Sequence, residues 1–170
     1  MKAKWAVCGS GGIARRRTIP EGIVPADNAE LVAVYDVDER TNQAVAEEFH
    51  VSAFSSEEEL LKTDCDVVYI STPAHLHCDQ AIRAAQAGKH VFCEKPLGLT
   101  VPEANQIRSA CIERDVNLGV ACRMGFHAYQ KEALKMIRRG DIGIPVFGRA
   151  QLSCWYPPIE NAWRQDPNMG

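Results

Sequence analysis

Short β-branched runs alternate with longer amphipathic stretches along most of this chain, and that alternation limits its fold more than any other feature. Residues 5–8, 31–35, 67–70, 90–93 and 118–122 read as strands, apolar at consecutive positions as strands covered on both faces must be. Residues 38–49, 56–61, 76–87 and 101–114 read as helices. Their ends agree: Ser56 with Glu59 and Thr100 with Glu103 have capping-box spacing, and Gly88 stands where a helix C-terminus favours glycine. The expected fold class is α/β, a doubly wound parallel sheet with helices on both faces.

After Cys122 the pattern changes. Residues 129–139 predict a helix stopped by Gly140, and residues 146–155 predict one long strand that starts a second domain. The residues that follow hold nothing to pair with or cover such a strand. The expected organisation is one domain over residues 1–122. Residues 123–170 then form a linker and the first elements of an incomplete second domain.

The chain has 170 residues, 46% apolar and 24% charged, a composition that excludes disordered and collagen-like classes. No apolar run approaches the roughly 18 residues a membrane helix needs, and the N-terminal apolar stretch breaks at Gly9, too early for a signal peptide. A formal charge of −3 is too mild for electrostatic capture of nucleic acid or anionic lipid, so a small molecule is the expected partner. Seven cysteines without a C-x-x-C pair read as reduced thiols, mostly core residues, in a cytoplasmic protein.

Gly9-Ser10-Gly11-Gly12-Ile13-Ala14 follows the first strand and opens a helix, the context in which a G-x-G-x-x-G/A match carries weight. The first glycine permits the tight turn, the second a close approach to pyrophosphate, and Ala14 the packing of helix on strand. The competing reading is a glycine turn with no ligand. Asp36 ends the second strand, 22 residues after Ala14, where a carboxylate accepts from an adenosine ribose and repels a 2′-phosphate. That favours NAD, while Arg40 nearby leaves NADP open; the competing role for Asp36 is to cap the next helix.

Arg15, Arg16 and Arg17 point about 100° apart on a helix and read as a solvated face rather than a phosphate clamp. His75, His77 and Cys78 lack metal-ligand spacing, and no metal site is expected. Ser71, Thr72, Pro73, His75 and His77 instead leave a strand's carboxyl end beside the glycine loop, in the crevice where ligands of such sheets bind. Glu94-Lys95-Pro96 reaches the same crevice from the next strand. A lysine partly desolvated there, beside a positive nicotinamide, has its charged form disfavoured and becomes useful for proton transfer. From residue type and place alone, Lys95 stays open between acid/base and strand-end surface lysine.

Three segments together resemble the Gfo/Idh/MocA oxidoreductases: Gly9 to Ala14, Thr72-Pro73-Ala74-His75-Leu76-His77, and Ala87-Gly88-Lys89-His90-Val91-Phe92-Cys93-Glu94-Lys95-Pro96-Leu97. Arg138 to Gly143 and Trp163 to Pro167 are similar to that family's link into its second domain. The resemblance implies a dinucleotide-binding Rossmann domain over residues 1–122, an α+β substrate and oligomerisation domain begun within residues 123–170, and hydride exchange between NAD or NADP and a hydroxyl or carbonyl of a sugar, cyclitol or related metabolite. It implies Lys95 as the catalytic lysine, with Glu94 and Pro96 shaping the nicotinamide side. Gly9, Ser10, Gly11, Gly12, Ile13 and Ala14 would hold pyrophosphate, Asp36 the adenosine ribose, and Ser71, Thr72, Pro73 and His77 the rest of the cofactor. Arg123, Trp163 and Arg164 are expected near nicotinamide or substrate.

Two departures follow from the same resemblance. Ala74 replaces a frequent Asn, and the chain stops before a glycine run with an Asp and a His that orient substrate. The 170 residues are accordingly expected to bind cofactor but turn over poorly, and the full-length form to be a homo-oligomer. Two other classes remain: a non-catalytic NAD(P)-binding sensor or regulatory module, and a methyl-donor-dependent transferase, which has no need of Glu94-Lys95-Pro96.

Overall fold

A computed structural model describes residues 1–153, Trp155 and Pro157. Six parallel strands form one sheet: β1 (Ala3–Cys8), β2 (Ala29–Tyr35), β3 (Ser52–Ala53), β4 (Val67–Ile70), β5 (His90–Cys93) and β6 (Leu118–Val120), in the order β3-β2-β1-β4-β5-β6. The sequence moves outward from β1 in one direction and then restarts beside it at β4. A topological switch point therefore lies between β1 and β4, where ligands of open α/β sheets bind.

Both faces are covered. Side chains alternate along each strand, so Ala6 and Cys8 of β1 and Val68 and Ile70 of β4 join one buried cluster with Leu60, Ala81, Ala85 and Ile107. Those last four come from α2 (Glu57–Leu61), α3 (His77–Gln86) and α4 (Val101–Glu113). Val7 and Tyr69 face the other way, with Ile19, Ile23, Val45 and Ala46. These belong to a π-helix (Ala14–Ile23) and to α1 (Glu39–Phe49).

The caps are those the sequence implies. Ser56 accepts from the Glu59 N–H, and Thr100 from the Glu103 N–H, while the Glu103 carboxylate accepts from the Leu99 N–H at 2.7 Å. Gly88 has φ +74°, beyond the end of α3. The short β3 carries no period and is absent from the expected strands. β6 ends at Val120, two residues early, because the Cys122 N–H turns back to the Val120 carbonyl.

Two expectations meet a different structure. The helix after the glycine loop is wide, its last N–H, from Val24, reaching the Ile19 carbonyl five residues back. Pro20 inside it has no N–H to give and crowds the preceding turn, which opens the coil. The expected strand over 146–155 is not formed by its described residues: 146–153 and Trp155 carry no regular secondary structure, and among the described residues no strand lies alongside to complete a ladder. The helix before it, α5 (Ala128–Arg139), does form and ends at Gly140 with φ +79°.

Candidate active site

The ladders bring the strand ends into one row. Tyr35, Cys8, Ile70, Cys93 and Val120 are register partners across β2, β1, β4, β5 and β6. The first residue of each loop still donates to its neighbour: Gly9 N–H to Tyr35 at 2.8 Å, Ser71 to Cys8 at 2.9 Å, Glu94 to Ile70 at 2.8 Å and Ala121 to Cys93 at 2.8 Å. The candidate loops thus leave the same edge of the sheet, and those after β1, β4, β5 and β6 are each held at the root by a backbone hydrogen bond.

Gly9 needs its glycine twice over. Its φ is +83°, and a Cβ there would lie 2.8 Å from Thr72 N and Thr72 Cγ2. The Ser71 hydroxyl donates to the Gly9 carbonyl at 2.7 Å, tying the two loops together. Gly11 donates its N–H to Asp36 Oδ2 at 2.9 Å, and Asp38 donates to Asp36 Oδ1 at 3.0 Å. Asp36 is therefore held from two sides, and the capping role belongs to Asp38, whose carboxylate accepts from the Thr41 N–H at 2.6 Å. Hydrogen bonding to Thr41 holds the Asp38 carboxyl below its usual range, and the field of Arg40 adds to this. Gly12 is exposed with φ +46° and open space where a Cβ would stand. Ala14 is fully buried, and Ser10 is buried with a hydroxyl that has no partner among the described residues. Arg15 and Arg17 pair separately with Glu48 and Glu21, and Arg16 turns to the Gly12 carbonyl, so the three make no common patch.

A cleft of about 880 Å³ opens at the other side of the row. From the expected set it is lined by Ile13, Ser71, Thr72, His77, Glu94, Lys95 and Arg123. Gly9, Gly11, Gly12, Asp36, Arg40, Pro73, His75 and Pro96 are not among its walls; the glycines and Asp36 stand one and two strands away from the β4 loop, after β1 and β2. Trp163 and Arg164 lie outside the described residues.

Three side chains differ from their sequence-based description. His77 is 1% exposed, with Nδ1 2.7 Å from the Pro96 carbonyl and Nε2 2.9 Å from the Thr72 carbonyl. Its ring nitrogens are spent on the protein's own backbone, joining the loops of β4 and β5. His75 is exposed beside it. Lys95 lines the cleft but is exposed rather than partly desolvated, and it forms no ion pair among the described residues.

The sequence reading missed Tyr69, Thr18, Phe92 and Gln80. Tyr69 is fully buried and its hydroxyl donates to Glu94 Oε1 at 2.9 Å, while Thr18 Oγ1 lies 3.0 Å from the same phenol. Burial above all, with the Glu94 charge, pushes this phenol well above its ordinary value. Glu94 Oε2 accepts from the Lys95 N–H at 3.2 Å. Phe92, in the cleft wall, packs against the Tyr69 ring at 5.6 Å. The Thr72 hydroxyl bonds to Gln80, which is 6% exposed and donates to Glu57; Glu57 is in turn gripped by Arg83. A tyrosine inside an otherwise aliphatic strand and a glutamine on the apolar face of α3 were the available signals, since a buried polar tip needs a partner.

Burial disfavours the thiolate form of the cysteines lining this core. Burial pushes Cys93 up to about 12 and Cys8 higher still. Among the described residues no three His, Cys, Asp or Glu side chains gather as metal ligands, and no helix is long and apolar enough to cross a membrane.

A parallel sheet in this strand order, with a glycine loop at the switch point and a carboxylate at the end of β2, defines the dinucleotide-binding α/β class. The chain matches the oxidoreductase family with an NAD-binding Rossmann fold over residues 3–122, and it belongs to that family, the Gfo/Idh/MocA oxidoreductases. It is 34% identical over 170 aligned residues to 1,5-anhydro-D-fructose reductase of Ensifer adhaerens, covering 98% of this chain and 50% of the reductase. Among solved structures it is similar to the WlbA dehydrogenase of Bordetella pertussis in complex with NADH and UDP-GlcNAcA. There the TM-score is 0.79 at 31% identity, over 84% of this chain and 44% of WlbA. It is also similar to KijD10, a 3-ketoreductase of Actinomadura kijaniata in complex with NADP and TDP-benzene, with TM-score 0.77 at 28% identity over 82% and 43% of the two chains. The chain spans about half the length of these relatives.

Proposed function

We propose that this chain supplies the cofactor-binding part of an oxidoreductase that exchanges hydride between a nicotinamide dinucleotide and a hydroxyl or carbonyl of a sugar, cyclitol or related metabolite. One observation carries the reading. Lys95 and Glu94, leaving β5, line the same cleft as Ser71 and Thr72, leaving β4, while the glycine loop and Asp36 continue the row one and two strands away. An elongated two-ended ligand lying along the row would touch all of them.

The residues present fit such a ligand. Open space at Gly12, the helix start behind it and the unpartnered Ser10 hydroxyl favour an anionic pyrophosphate at Gly9 to Ala14. Asp36 accepts from ribose hydroxyls, and with both oxygens already anchored it cannot turn away from a 2′-phosphate, which favours NAD over NADP. Pro73 and His75 shape the loop over the cofactor's middle, and Arg123, with Trp163 and Arg164, serves the nicotinamide or substrate side.

A bound nicotinamide supplies the hydride acceptor. With cofactor and substrate in the cleft excluding water from its tip, Lys95 in its neutral form would take the hydroxyl proton as the carbon loses hydride, and would return it in the reverse direction. Glu94, with the cleft walls Phe92 and Thr18, fixes the surroundings of that transfer. Residues 1–122 form the dinucleotide-binding domain and 123–170 the entry to a substrate domain of a homo-oligomeric, cytoplasmic enzyme. The thiols, free in all six described cysteines, support the reducing compartment.

Calorimetric titration with NADH and with NADPH tests the reading. NADH is expected to bind at least about tenfold tighter, and Asp36→Ala to bring the two within about threefold of each other. Absence of binding by either cofactor overturns the proposal.

A further inference from the structure

We propose that Glu94 acts as a redox-state discriminator: a carboxylate locked in place by Tyr69 and Thr18 whose charge favours the cationic, oxidised nicotinamide over the neutral, reduced one. The inference rests on the dinucleotide reading above. It begins from the direction of a hydrogen-bond chain. An ionised carboxylate only accepts, so the single proton of the Tyr69 phenol goes to Glu94 Oε1 at 2.9 Å. The phenol oxygen is then left to accept, and Thr18, 3.0 Å away, must donate to it. The chain runs one way, from Thr18 through Tyr69 to Glu94. The second carboxylate oxygen takes the Lys95 N–H at 3.2 Å. Both oxygens are oriented by donors of the protein, and neither donor is a cation.

That last point sets the electrostatics. Five charged side chains line the cleft: Arg17, Glu21, Glu94, Lys95 and Arg123. Arg17 and Glu21 neutralise each other as an ion pair. Glu94 forms no ion pair among the described residues, so its charge stays available to the cleft, where Lys95 and Arg123 leave two positive charges unpaired. Without Glu94 a cationic ring would enter a wholly positive wall. With it, and with water kept from one side by the buried Tyr69 and by Phe92, the carboxylate attracts the oxidised ring and is indifferent to the reduced one.

The test is a pair of dissociation constants, for NAD⁺ and for NADH, measured on the same chain and on two variants. Glu94→Gln keeps size and shape; it is expected to weaken NAD⁺ by about tenfold, the scale of a unit charge about 4 Å away at an effective dielectric constant of about 60, as befits an open and solvated cleft, and to leave NADH within about twofold. Tyr69→Phe keeps the ring and frees the carboxylate; it is expected to move the NAD⁺/NADH affinity ratio the same way by about threefold. Equal losses for both forms would show a merely structural role, and an unchanged ratio in Glu94→Gln would show that the charge is not felt; either overturns the inference. Should circular dichroism show Tyr69→Phe unfolded, Thr18→Val reports the same chain from the half-exposed helix side, with the same expected direction and the same refuting result. If the unaltered chain binds neither form, the dinucleotide reading itself falls; if it binds both with an insensitive ratio, only the role of Glu94 does.

Discussion

Gly9→Ala puts one methyl group where the structure has no room for it. The φ of +83° is left-handed, which costs a residue with a Cβ about 1–2 kcal/mol. The new atom would then lie 2.8 Å from Thr72 N and Thr72 Cγ2 and 3.0 Å from the Ser71 carbonyl carbon. Backbone cannot swing aside as a side-chain tip can, and overpacking of this kind costs about 1–3 kcal/mol. Moving the loops apart also stretches the 2.7 Å Ser71–Gly9 bond and the 2.9 Å Ser71–Cys8 bond, worth about 1 kcal/mol together once partly compensated by water. The total is about 4 kcal/mol. Gly12→Ala is the control: φ is again positive, at +46°, but nothing lies within 4 Å of the new Cβ, so the cost is about 1 kcal/mol. With a urea slope of about 2 kcal/mol/M, the midpoints should fall by about 2 M and about 0.5 M in unfolding followed by circular dichroism. Equal midpoint shifts in the two variants would refute the argument that close approach of the β1 and β4 loops, rather than φ alone, demands glycine at position 9.

Two further variants probe the frame and its charges. Leu60→Ala opens a cavity at a fully buried side chain between α2 and the sheet and should cost about 2–5 kcal/mol in the same denaturation experiment; a loss below about 1 kcal/mol would mean that this face is loosely packed. Asp38 caps α1 with a folded-state pKa lowered from 3.8, so its contribution is present above that value and is lost as pH falls through the lower folded value. Asp38→Asn should flatten that acid limb of the stability profile, and an unchanged limb would assign the acid sensitivity elsewhere.

Features set by neighbours in sequence were legible before any coordinates. The caps at Ser56 and Thr100, the positive φ of Gly88 and Gly140 and the apolar strands β4 and β5 all depend on residues a few positions apart. The β-branched pattern over 146–155 was equally local, yet a strand exists only with a partner, and among the described residues none lies beside it. Pro20 was visible in the sequence, but its effect on the width of the helix depends on the turn before it. Candidate residues were legible by their place after a strand, which is why Ser71, Thr72, Glu94 and Lys95 fall in one cleft. What each does there was not, because partners lie far along the chain: His77 meets the carbonyl of Pro96, 19 residues on, and Tyr69 meets Thr18, 51 residues back.

These long-range partners share a purpose. Loops at the carboxyl edge would be free to drift if only their roots were fixed, and a drift of about 1 Å is enough to spoil a reacting geometry. Here each loop is pinned from its neighbour by a side chain: Asp36 holds Gly11, Ser71 holds Gly9, His77 holds both Thr72 and Pro96, and Tyr69 holds Glu94. Gln80 adds a tie from Thr72 down to Glu57 and Arg83, so that the β4 loop is anchored to α2 and α3 as well. Among the described residues the pins run from β2 to β5 in the order of the sheet; Ala121 to Arg123, after β6, are held by backbone bonds, from Ala121 to Cys93, from Cys122 to Val120 and from Gly125 back to Cys122. Among the described residues, side-chain ties between neighbouring loops are therefore concentrated at the β2 to β5 end of the edge. Lys95 stands at the boundary, on a loop fixed by His77 and Glu94 but with an exposed side chain, so its backbone is tied down while its ammonium end stays in solvent.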